Sequence, residues 1–63
     1  MPIVTVEIYE GRTIEQKKKL VEDITSAIAT NLAVSPEAVW IIIKDNPKHN
    51  CAQGGKLASE YLP

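Results

Sequence analysis

Ala38-Val39-Trp40-Ile41-Ile42-Ile43-Lys44 is the stretch on which the fold turns. It is a nearly continuous apolar run, rich in β-branched residues, and such a strand is buried on both faces, as parallel pairing against a crossover helix requires. Immediately before it, Ser35-Pro36-Glu37 sets a capping serine ahead of a proline at a first helical position, which predicts a single helical turn. Further back, Thr13-Ile14-Glu15-Gln16 reads as a capping box that opens a helix running to about Asn31. Its apolar positions Leu20, Val21, Ile24, Ala27, Ile28 and Leu32 recur at spacings of three and four, leaving Lys17, Lys18, Lys19, Glu22, Asp23 and Ser26 for a solvated face. From Pro2 to Tyr9 the pattern alternates, with Val4, Val6 and Ile8 pointing one way and Ile3, Thr5, Glu7 and Tyr9 the other. Strand, helix, strand in this order is one βαβ unit. Beyond it, Asp45 to Asn50 is loop-like and Gly54-Gly55 marks a tight turn within a small hairpin. The expected class is α+β: one domain over residues 1–63, a β-α-β protomer with parallel strands and a small C-terminal hairpin.

A chain of 63 residues is short for independent stability. Apolar burial at about 25 cal/mol per Å² set against roughly 1.5 kcal/mol of ordering cost per residue gives a sum near zero at this size. The single Cys51 excludes an internal disulfide, and one histidine with one cysteine falls short of a zinc set. Oligomerisation remains, and a strand apolar on both sides demands a layer that one helix cannot supply. The chain is therefore expected to be a homo-oligomer whose stability depends on protomer concentration, with Leu57, Tyr61 and Leu62 docking on a neighbouring subunit. Seven basic and eight acidic residues give a net charge of −1, which points to neither nucleic acid nor membrane as a partner. The start of the chain has no basic and apolar leader pattern, so a cytoplasmic location is expected.

Met1-Pro2-Ile3 leads straight into the first strand. Removal of Met1 would leave Pro2 as a secondary amine, and an α-amino group, which starts near a pKa of roughly 8, is lowered further by burial or a neighbouring cation. Such a group is a base suited to neutral pH. With Met1 in place the same nitrogen is an amide and has no basicity.

Met1-Pro2-Ile3, Glu10-Gly11-Arg12-Thr13 with Glu15-Gln16-Lys17, the Ile41-Ile42-Ile43 strand, and Gly54-Gly55-Lys56-Leu57-Ala58-Ser59 together resemble 4-oxalocrotonate tautomerase and its short relatives, along essentially the whole chain. The resemblance implies a β-α-β protomer assembled as a hexamer, an amino-terminal proline as catalytic base, and no metal or organic cofactor. It makes Pro2 the base that moves a proton between the enol or dienol and keto forms of a small unsaturated 2-keto acid. Arg12 matches the family arginine that binds a substrate carboxylate through a two-pronged contact. Two positions depart from the pattern. The family's second arginine falls at Trp40, and its pocket phenylalanine at Cys51. Loss of a charge-assisted contact made in the transition state costs on the order of a hundredfold in rate, so low activity is expected on the usual dicarboxylate.

The substituted residues have structural readings too. Trp40 is either packing at the core or a subunit interface, or a substrate contact; Cys51, at a substrate-binding position by the resemblance, lacks an evident activating partner and reads as a buried or semi-buried spacer rather than a nucleophile. Lys48 and His49 belong to loop surface or supply a replacement cation. Trp40 with Glu60-Tyr61-Leu62-Pro63 is also faintly similar to one chain of the family's haloacrylate dehalogenases, which use a glutamate where this chain has Gln53. The alternatives to a tautomerase are thus a hydratase or dehalogenase acting on a small unsaturated acid, and a catalytically weak oligomeric binding module.

Overall fold

A computed structural model of the chain describes residues 1–63. Strand β1 (Ile3–Tyr9) is followed by helix α1 (Ile14–Leu32), a 3₁₀ turn at Pro36–Ala38 and strand β2 (Trp40–Asn46). A second 3₁₀ turn at Lys48–Asn50 then leads into the hairpin β3 (Ala52–Gln53) and β4 (Lys56–Leu57), and the short helix α2 (Ala58–Tyr61) closes the chain. β1 and β2 are parallel from Ile3 beside Trp40 to Tyr9 beside Asn46, and β3 and β4 are antiparallel. The α+β architecture is as expected: two parallel strands joined by a crossover helix, and a small hairpin at the end.

The local signals act where the residues place them. At the start of α1 the Thr13 hydroxyl accepts the Gln16 N–H at 3.1 Å while the Gln16 side-chain oxygen accepts the Thr13 N–H at 2.8 Å. Ser35 caps the first 3₁₀ turn by accepting the Glu37 N–H, and its hydroxyl donates to the Glu37 carboxylate, which holds that acid's pKa below the usual range. At Gly54 and Gly55 φ is +60° and +81°, the left-handed pair that a two-residue hairpin turn needs. The other end of α1 is strained. Ala33 closes it in the left-handed conformation, φ 53° and ψ 47°, where a Cβ meets the following carbonyl and glycine is free of the penalty. Ala33→Gly is expected to stabilise the protein by about 1 kcal/mol per protomer, read as a higher urea midpoint at fixed protein concentration.

Three expectations require correction. β2 starts at Trp40 rather than Ala38, because the turn capped by Ser35 keeps Ala38, and it runs on through Asp45 and Asn46, which pair with Ile8 and Tyr9. Lys17 leaves the solvated face of α1 and donates to Asp45 at 2.5 Å, tying helix to strand. Ala27 and Leu32, counted in the apolar stripe, are exposed, and the half-buried face consists of Leu20, Val21, Ile24, Thr25, Ile28 and Ala29.

In one protomer only one face of the sheet is covered. Val4, Val6, Ile8, Ile41 and Ile43 are half-buried, on the side from which Asp45 reaches Lys17 of α1. On the other face Ile3, Trp40 and Ile42 are 66%, 56% and 47% exposed, so β2 is not buried on both sides within a single copy. The sole fully buried residue is Ala58, whose N–H donates to the Cys51 carbonyl at 2.7 Å. The C-terminal segment packs largely on itself, α2 against the Lys48–Asn50 turn and β4, and Lys48 donates to the Pro63 carbonyl. The protomer is correspondingly flat, 42 × 24 × 13 Å, with a radius of gyration of 14.7 Å, where about 11 Å is usual for a compact chain of this length. Its 4850 Å² of accessible surface exceeds the roughly 4000 Å² of a compact monomer of this mass. No helix is long and apolar enough to cross a membrane.

Candidate active site

Pro2 and Trp40 meet at one end of the sheet. The parallel register sets Ile3 beside Trp40, and the Trp40 N–H donates to the Pro2 carbonyl at 3.0 Å. Pro2 is half-buried, while Met1, whose carbonyl makes the Pro2 nitrogen an amide, is 80% exposed. The Trp40 indole shares the uncovered face of the sheet with Ile3 and Ile42.

Arg12 and Cys51 lie at the other end. The Glu10 N–H extends the ladder by one bond to the Asn46 carbonyl at 3.0 Å, and Gly11, at φ +121°, then turns the chain into α1 in a conformation open to glycine. Arg12 follows and, with Ile8, Gln16, Lys17 and Leu20, lines a cavity of about 200 Å³ between the strand end and the helix. Two cations border that cavity, but the Lys17 ammonium is neutralised by Asp45. The Arg12 guanidinium has neither a carboxylate nor a hydrogen-bond partner in the protomer and so is the charge available to an anion. A larger cavity, about 490 Å³, runs along α1 beside Pro36 and holds none of the four candidate residues.

Cys51 is half-buried, its backbone fixed by bonds from Ala58 and to Lys48. Its thiol and the Tyr61 phenol both lie near the Tyr9 phenol, and Tyr61 donates to the Gln53 side-chain oxygen at 3.4 Å. Partial burial raises the Tyr9 pKa, and the nearby Tyr61 and Cys51 raise it further, so its hydroxyl stays protonated throughout the neutral range. Tyr9 received no role in the sequence beyond its place on the outward side of β1. The available signal was its position just before Glu10-Gly11-Arg12, where the strand delivers its last side chain to the arginine end.

Within one copy the four residues therefore form two pairs rather than one cluster. The whole of β1 separates Pro2 from Arg12, and seven residues of strand span about 20 Å. Lys48 and His49, following β2, also belong to the arginine end and do not stand in for the missing cation beside Trp40 in the same chain.

Residues 2–61 match the model of the tautomerase enzyme family, and the chain belongs to that family. It is 42% identical over 60 residues to the 2-hydroxymuconate tautomerase of Bacillus subtilis, a match covering 95% of this chain and 97% of the relative. Among solved structures, YwhB, a homologue of 4-oxalocrotonate tautomerase, superposes with a TM-score of 0.89 at 41% identity, covering 94% of this chain and 97% of the other. A heterohexameric 4-oxalocrotonate tautomerase from Chloroflexus aurantiacus gives 0.90 at 30% identity, covering 97% and 98%.

Proposed function

We propose that the protein is a cofactor-independent tautomerase that ketonises small 2-hydroxy-enoic acids, using Pro2 as general base once Met1 has been removed. The observation that carries this reading is the division of the candidate residues between the two ends of a sheet whose second face is open. Two copies that meet with their sheets running in opposite directions would set the Pro2 and Trp40 end of one against the Arg12 and Cys51 end of the other. A two-fold contact repeats that pairing at both ends. The active form is then a homo-oligomer, and a hexamer is in keeping with the assembly named for the Chloroflexus relative.

In such a site Arg12 holds the substrate carboxylate in its guanidinium fork. The Pro2 amine accepts the enol hydroxyl proton and delivers a proton to carbon 3 as the carbonyl forms, so base and product are both restored. Trp40 brings a flat apolar wall where the family pattern has a cation. This favours a substrate with one carboxylate and an apolar remainder, phenylenolpyruvate being a simple example, over a dicarboxylate. Gln53 is an amide with no basicity, so halide release from 3-haloacrylates is not expected.

The test is ketonisation of phenylenolpyruvate by protein whose intact mass shows the loss of Met1. Absence of turnover in that form overturns the proposal. Arg12→Ala is expected to raise KM by roughly 10- to 100-fold, since hydrogen bonds to a charged group contribute about 1.5–3 kcal/mol. An unchanged KM would remove Arg12 from the site.

A further inference from the structure

The charge of the Arg12 cavity is set from outside its wall. No carboxylate lines that cavity: Ile8 and Leu20 are apolar, and Gln16, whose side-chain oxygen accepts the Thr13 N–H, is neutral. Arg12 and Lys17 are its only charged lining residues. The Lys17 ammonium is held on the strand side, because its partner Asp45, at 2.5 Å, is the register neighbour of Ile8. The two side chains are 29% and 39% exposed, so the pair is partly sheltered from water. Asp45 itself is absent from the cavity wall and acts on whatever enters only through Lys17. The cavity's volume of about 200 Å³ equals that of several waters at about 30 Å³ each, enough for one acidic head group.

Resting on the reading that Arg12 takes the acid group of the substrate, we infer that Asp45 determines which acid group is accepted. By occupying the Lys17 ammonium it leaves the cavity one free positive charge, and so sets it for a singly charged carboxylate against a doubly charged phosphate. Asp45 is a positioning residue, since it reaches the ligand through Lys17. With the pair intact, one free cation meets one carboxylate and the charges balance. A phosphate monoester carries close to two negative charges at neutral pH, and the second finds no free cation. It must either break the pair or stay unbalanced beside an apolar wall. The substrates are thereby narrowed to carboxylic enols and away from enol phosphates, independently of the indole at Trp40.

The experiment is calorimetric titration of the Met1-cleaved protein with two probes of matched shape, phenylacetate and phenyl phosphate, at about pH 8, above the second phosphate pKa of roughly 6. The quantity read is the ratio of the two Kd values, which a general loosening of the fold would leave alone. Asp45→Asn is expected to shift that ratio toward phenyl phosphate by about tenfold, the lower range for a hydrogen bond to a charged group. Asp45→Glu keeps the negative charge and should hold the ratio within about twofold, and Lys17→Met added to Asp45→Asn should return it to the unaltered value. Lys17→Met alone leaves the Asp45 carboxylate uncompensated and should move the ratio the other way, so the inference does not depend on one variant folding. An unmoved ratio in Asp45→Asn or Lys17→Met, an equal shift in Asp45→Glu, or no binding of phenylacetate by the unaltered protein overturns it. Arg12→Ala keeps the two readings apart. Phenylacetate binding that ignores Arg12→Ala overturns the Arg12 anchor and this inference together, whereas Arg12-dependent binding with an unmoved ratio overturns this inference alone.

Discussion

Pro2→Ala, in protein that has lost Met1, is expected to lower kcat for phenylenolpyruvate by about a hundredfold or more, the lower range for a positioned general base. The variant still ends in an amine, so the loss measures placement rather than simple basicity. In proline the nitrogen is locked into a ring that fixes φ, and the carbonyl of that residue is held by the Trp40 N–H at 3.0 Å. The lone pair is thereby aimed from both sides. An alanine amine keeps only the carbonyl anchor and rotates about its N–Cα bond. Steady-state rates on samples of verified intact mass decide the matter, and a kcat within threefold of the unaltered protein would show that Pro2 is not the base. Protein retaining Met1 should be inactive whatever stands at position 2, since the nitrogen is then an amide.

Ile42→Lys is expected to abolish assembly. Ile3, Trp40 and Ile42 form one apolar patch on the uncovered face, whereas the charged pair Glu7 and Lys44 lies further along the same strands. Burying an isoleucine is worth about 1.5–3 kcal/mol, and an unpaired ammonium buried in its place costs several kcal/mol. The penalty falls on every copy. Sedimentation should show monomer or unfolded chain for Ile42→Lys, and an intact assembly would mean that this face stays in water. Lys18→Ala on the exposed side of α1 is the matched comparison, with an expected change within about 0.5 kcal/mol.

The fold was legible wherever a local rule acts alone. Alternation in β1, the Thr13 and Gln16 box, the Ser35 cap and the Gly54-Gly55 turn each depend on residues within a few positions of one another. The misplacements of Asp45, Asn46 and Lys17 share a cause. Asp45 and Asn46 look like loop by composition, but β1 extends to Tyr9 and offers them partners, and Asp45, once in the strand, draws Lys17 off the outer face of the helix. Helix α2 has no sequence period, only four residues held by Ala58 packing and by the Glu60 carboxylate accepting the Leu57 N–H at 2.6 Å. Of the candidate site, Pro2 and Arg12 were legible as chemistry and their separation was not. That distance is set by the strand between them.

The position of Pro2 and Arg12 at opposite ends of one sheet has a further consequence. If each site takes its base from one copy and its anchor from another, a newly made chain carries a reactive amine with nothing to hold a substrate against it. Catalysis then begins with encounter rather than with folding, and the abundance of the protein sets not only how many sites exist but whether any exist at all.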